Sequence, residues 1–186
     1  TRGGIYESLY LNNPITTDWV PWLATNYEWQ NNNKKLLFTI RSEVQWSDGR
    51  AFTAHDVAYT LNLWKEYPAL DTRNAWEYLK SVEAVSDTLV QIDFKRIYVP
   101  GFEAIAGAPI IPKHIWEELK DPLDFSNPNP VGTGPFTEIL RFNTQVWEFG
   151  KNHNYWQAGK PYVEKLIFPT FSTNEQTTLA LLSGKL

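Results

Sequence analysis

Between Asn26 and Arg41 apolar and polar residues alternate, with Tyr27 and Trp29 before Asn31-Asn32-Asn33 and Leu36, Phe38 and Ile40 after it. A period of two marks a half-buried strand, so this segment predicts a hairpin turned on the asparagines. Trp46-Ser47-Asp48-Gly49 predicts a tight turn, in which Asp bonds its own backbone and Gly takes positive φ. A helix is predicted next. Thr53 suits the N-cap, Asp56 makes a weaker form of the capping box, and Val57, Leu61 and Trp64 recur at helical spacing until Pro68. A shorter helical piece over Asn74 to Lys80 precedes a second hairpin, Ser81 to Val85 and Thr88 to Phe94, turned at Ser86-Asp87. Pro112 is expected to open a helix running through Lys120.

The segment from Pro122 to Pro135 is rich in Pro, Asn and Gly and predicts a crossover between subdomains. Beyond it, strands are expected at Phe136 to Arg141, Gln145 to Phe149 and Val163 to Phe168. A helix follows from Thr173, with Ser172 and Glu175 as its capping box and Gly184 as its C-cap. Strands and helices alternate irregularly and without internal repeat, which predicts an α+β (mixed α/β) fold.

Composition narrows the function classes. A chain of 186 residues, 42% hydrophobic and 20% charged, is globular and holds one large domain or two small ones. Its apolar runs, such as Ala104 to Pro112, fall well short of the roughly 20 residues that cross a bilayer. Net charge is −4 and the 17 basic residues are scattered, so no nucleic-acid partner is expected. Without cysteine there is no disulfide or thiol chemistry. The chain begins at Thr1 and contains no Met, and it is read as a piece of a longer protein. Aromatic residues make up 15%, a share that suits core packing and also stacking on sugar rings.

No catalytic constellation is expected. His55, His114 and His153 lack a second ligand at metal-binding spacing, so no metal site is predicted. Asp48 and Asp56 are explained by turn and capping physics. Gly132-Thr133-Gly134-Pro135 lacks the lysine of a phosphate loop, and Pro135 removes a backbone donor. The reading is a protein without cofactor and without enzymatic activity.

Several motifs together resemble the large solute-binding proteins of bacterial ABC importers, the family that takes oligopeptides, dipeptides, nickel and cello-oligosaccharides. The central ones are Leu37 to Arg41, Val44 to Gly49 and Phe52 to Val57. Ile5-Tyr6-Glu7-Ser8-Leu9 and Trp22-Leu23-Ala24 precede them, and Pro109 to Trp116, Pro130 to Phe136, Asn154-Tyr155-Trp156 with Gly159-Lys160-Pro161, and Leu181 to Gly184 follow. His55 stands where the family commonly has an acid, and Lys185 where it has Glu.

The resemblance implies a periplasmic-binding-protein-like first lobe with an accessory subdomain, the second lobe lying beyond Leu186. Residues 1–17 and 132–186 would form the lobe core and 18–131 the accessory subdomain. It implies that Tyr6, Glu7, Ser8 and Asn12, with Trp76 and Tyr78, touch ligand; Trp76 fits a buried helix stripe equally well. Trp46 and Trp156 are assigned to architecture. The implied partners are a small-molecule ligand and an ABC permease in the membrane, met by a monomer in the periplasm or outside the cell, with or without a lipid anchor. Asn12-Asn13-Pro14, Trp19 to Trp22 and Pro112 to Trp116 resemble the cello- and manno-oligosaccharide branch. An oligosaccharide is therefore expected, with a peptide as the alternative and a secreted carbohydrate-active enzyme or binding module as a third reading.

Overall fold

Strands form where the period-two pattern runs. In the computed structural model, which describes residues 4–184, β1 (Tyr10–Asn12) pairs with β2 (Trp19–Pro21), and β3 (Ala24–Gln30) with β4 (Lys35–Ile40). The start at Thr1 and the position of Lys185 lie outside the described residues. Asn31, Asn32 and Asn33 turn the second hairpin with φ of 50°, 50° and 60°, a region asparagine tolerates better than most side chains. β1 and β2 were not foreseen, because three-residue strands carry too little alternation to register.

β5 (Leu79–Ser86) and β6 (Leu89–Phe94) complete a four-stranded antiparallel sheet in the order β3-β4-β6-β5. Leu36, Phe38, Ile40, Val90, Ile92 and Phe94 bury their side chains together with Val57 and Leu61 of α1 (Ala54–Glu66). The capping box of α1 is complete: the Thr53 side chain caps the first turn and Thr53 N donates to Asp56 Oδ2 at 2.9 Å.

Two expected helices differ, and one helix was not expected. Asn74 to Lys80 contains only a 3-10 turn, Ala75–Glu77, because Leu79 already pairs with Phe94 in the sheet. α2 (Gly101–Ala106) lies in the apolar stretch that periodicity left unassigned. α3 (Lys113–Trp116) stops well before Lys120, and Pro112 is its N-cap rather than its first residue; the Trp116 ring meets Phe125 edge-on at 5.4 Å.

β7 (Glu138–Phe142), β8 (Val146–Gly150) and β9 (Lys165–Pro169) form a separate antiparallel sheet around a smaller core of Ile5, Phe136 and Phe149. The cap of α4 (Asn174–Leu182) is Thr173, one residue later than expected. Thr173 Oγ1 accepts from Gln176 N, and Gln176 Oε1 accepts from Ser172 N at 3.1 Å. Gln176, not Glu175, therefore plays the reciprocal part. The C-cap is Ser183 rather than the expected Gly184, which follows it at φ 69°.

The glycine segment stitches the two ends of the chain together. Gly134 N donates to Ile5 O at 2.9 Å and Phe136 N to Gly4 O at 3.0 Å. A Cβ at Gly132 or Gly134 would overlap the backbone oxygens of Ile5 and Gly4, so close backbone approach explains both glycines.

Candidate functional site

The segment that leaves the smaller core at Ile5 enters the larger one at Leu9, and its intervening residues line a cleft of about 340 Å³. Backbone pairing holds this segment: Ser8 bridges Pro109, and Ile110 N donates to Glu7 O at 2.9 Å. Tyr6, Glu7, Ser8 and Asn12 all reach the cleft wall, so four of the six residues expected at the ligand come together.

Their side chains are anchored in different ways. Asn127 Nδ2 donates to Tyr6 Oη at 2.6 Å, and burial raises the Tyr6 pKa. Ser8 Oγ donates to Tyr10 O at 2.7 Å, while Asn12 Nδ2 donates to Thr17 O and ties the β1–β2 turn. Glu7 is 3% exposed. Its Oε1 accepts from Trp22 Nε1 at 2.8 Å and from Tyr155 Oη at 2.9 Å; its Oε2 accepts from Trp156 Nε1 at 2.9 Å. Burial pushes the Glu7 carboxyl above its ordinary value, opposed in part by the Trp156, Trp22 and Tyr155 donors. Burial, reinforced by the neighbouring Glu7 charge, also raises the Tyr155 hydroxyl. A carboxylate offers about four acceptor directions, and three here are already filled by the protein. Glu7 thus fixes two indoles and a phenol behind the cleft and keeps little capacity for an incoming donor.

Trp76 and Tyr78 stand outside the lining of this cleft. Trp76 Nε1 donates to Leu61 O at 2.6 Å under the Lys65 ammonium, and Tyr78 stacks on Tyr98 with ring centroids 3.6 Å apart. Sequence reasoning did not select Tyr10, Trp19 or Arg73, which do line it. Trp19 lay in the quoted Trp19 to Trp22 motif; Arg73 carried no signal. Trp19 packs edge-on against Phe102 at 5.7 Å, and a Cβ at Gly107 would press on its ring. Arg73 Nη1 donates to Glu103 O at 2.7 Å. The wall therefore offers aromatic faces with polar edges and one cation. Among the described residues no group of His, Cys, Asp or Glu could hold a metal ion.

A family model, bacterial extracellular solute-binding proteins, family 5 Middle, matches residues 18–186. The chain belongs to this family. Among family 5 relatives, the nickel-binding periplasmic protein of Escherichia coli is 29% identical over 178 residues, covering 89% of this chain and 32% of the relative. The oligopeptide-binding protein AppA of Bacillus subtilis is 28% identical over 154 residues, covering 78% of this chain and 28% of the relative. A mannohexaose-bound periplasmic oligopeptide-binding protein of Thermotoga maritima superposes with a TM-score of 0.90 at 31% identity, covering 100% of this chain and 35% of that one. The mixed α/β fold is thus the periplasmic-binding-protein-like fold of family 5, in part. The chain spans about a third of the length of the curated relatives it matches.

Proposed function

We propose that the chain supplies part of the first lobe of a solute-binding protein that captures an oligosaccharide outside the cytoplasm and delivers it to an ABC permease. The observation that carries this reading is the cleft wall itself, where half-buried Tyr6 and Trp19 present aromatic surface, backed by the buried Tyr10, beside Ser8 and Asn12. Sugar rings stack on aromatic faces, and their hydroxyls need small polar partners. The mannohexaose in the Thermotoga maritima neighbour supports the same chemistry. An oligopeptide is the second reading, favoured by Arg73 in the wall as a partner for a peptide carboxylate and by the Bacillus subtilis relative. Glu7, with three of its acceptor directions filled, has little left for a peptide amine or for a sugar hydroxyl.

The protein would bind without turnover, act as a monomer and work in the periplasm or at the outer face of the membrane. No helix among the described residues is long and apolar enough to cross a bilayer. The smaller core of Ile5, Phe136 and Phe149 supports the expected division into 1–17 with 132–186 and 18–131, whereas Leu9 and Tyr10 pack in the larger core, across the boundary at residue 17. Calorimetric titration of the full-length protein with manno- and cello-oligosaccharides, and with peptides, tests the proposal. Saturable binding of an oligosaccharide without product is expected; binding of peptides alone would overturn it.

A further inference from the structure

Behind the stretch of cleft wall formed by Gly107 and Pro109 lies a second cavity, of about 190 Å³. Three helices meet around it: Leu63 and Trp64 of α1, Ala104 of α2 and Trp116 of α3 line it, with Ile111 beside them. Its surface is largely apolar. The two buried polar side chains in its wall hold partners of their own. Thr60 Oγ1 donates to Asp56 O at 2.8 Å and accepts from Ile111 N at 3.1 Å, while the Asp71 oxygens accept from Ala75 N at 2.8 Å and Trp76 N at 2.9 Å. Arg73, Gly107 and Pro109 line both this cavity and the cleft, so the two spaces adjoin at these residues. Among the described residues the Arg73 guanidinium uses one of its five N–H donors, on Glu103 O at 2.7 Å. The junction therefore carries free donors, and the space behind it offers indole and aliphatic surface.

Protein interiors pack to nearly crystalline density, and a cavity costs stability in proportion to its volume. A cavity of this size kept against the ligand cleft is explained by what it takes in from that cleft. An apolar cavity of about 150 Å³ accommodates a benzene ring, so this one has room for a substituent of several carbon atoms. A bare sugar ring carries hydroxyls around its rim and gains little from apolar walls. An O-acyl group matches both ends of the junction: its alkyl part is favoured against the indoles and aliphatic side chains, and its ester carbonyl accepts from the Arg73 N–H groups. We propose that the cavity is a side pocket of the ligand site, taking the acyl group of an O-acetylated oligosaccharide whose sugar rings lie along Tyr6 and Trp19. This rests on the oligosaccharide reading above and narrows it to acylated chains.

Equilibrium dialysis tests the side pocket. The full-length protein is dialysed against mixtures of unacetylated and mono-O-acetylated manno- or cello-oligosaccharides of one length, and the retained species are resolved by liquid chromatography and mass spectrometry. At least one acetylated isomer is expected to be retained about tenfold or more above the unacetylated sugar, the discrimination that a single buried methylene gives in an apolar pocket. Ala104→Leu fills the cavity from α2 and is expected to bring that ratio to within about twofold of unity. Retention without enrichment of any acetylated isomer overturns the side pocket and leaves the oligosaccharide reading standing. Retention of neither sugar series overturns both. Enrichment that survives Ala104→Leu, in a variant shown by circular dichroism to be folded, places the acyl group elsewhere and also overturns the proposal. The wild-type ratio is read without the variant and decides the matter if Ala104→Leu does not fold.

Discussion

At the residue scale Glu7 decides how the cleft wall is held. Its carboxylate satisfies Trp22, Trp156 and Tyr155, and replacing it with Ala strands three donors at a buried site. Each such donor costs about 1–3 kcal/mol, so Glu7→Ala is expected to lose at least about 3 kcal/mol in urea unfolding. Glu7→Gln keeps the shape but sets an amide N–H against the Trp156 N–H. The pair also separates charge from packing. Burial holds the Glu7 carboxyl above its ordinary value, so the folded state binds its proton more tightly than the unfolded state does. The resulting stabilisation is full below the ordinary carboxylate range and is lost as pH rises through the raised value. Wild type is therefore expected to gain on Glu7→Gln as pH falls from 7 to about 4, read as the difference between their urea midpoints. A constant difference would show that Glu7 titrates alike in both states. Resemblance placed Glu7 in a segment that lines the cleft, but its three partners lie 15, 148 and 149 residues away and no local pattern could reveal them.

At the element scale the legible parts are those whose cause is local. The Asn triplet takes positive φ at all three positions, and Thr53 with Asp56 starts α1 as their chemistry dictates. Thr53→Ala is expected to cost about 1 kcal/mol, measured by chemical unfolding. Asn32→Val, which puts a β-branched side chain at φ 50°, should cost about 1–2 kcal/mol by the same measurement. Elements decided by tertiary pairing were not legible. Leu79 has its pattern claimed by Phe94 across the sheet, so the expected helix gave way to a strand. The Ser172 cap slipped to Thr173 because two adjacent hydroxyls offer the same chemistry and only the helix register chooses between them. Trp76 and Tyr78 illustrate the same point at the site, since helical spacing could not say that α1 and Tyr98 would engage them first.

At the scale of the whole molecule, the cleft depends on a seam between segments distant in sequence. Gly134→Ala would drive a methyl group into the backbone oxygen of Gly4 and loosen the seam. A loss of about 1–3 kcal/mol is expected from such overpacking. Because Tyr6 and Glu7 lie in the tethered segment, ligand affinity in calorimetry should fall along with hydrogen-exchange protection of Tyr6 to Ser8. Retained affinity with lost protection would separate the seam from the site. Mixed α/β order and the irregular course of Pro122 to Pro135 were readable from pattern, whereas Arg73 reached the cleft through the path of the chain between α1 and β5.

The same seam sets a clock during synthesis. Leu9 and Tyr10 belong to a core whose last fully buried member is Ile110, but Gly4 and Ile5 find their backbone partners only at Gly134 and Phe136. At about 5–20 residues per second, the first-made strand of the cleft waits roughly one to five seconds with its amino-terminal edge bare after the larger core can close. During that interval the nascent chain exposes an unpaired edge, and a chaperone that recognises short apolar strands has its opportunity there.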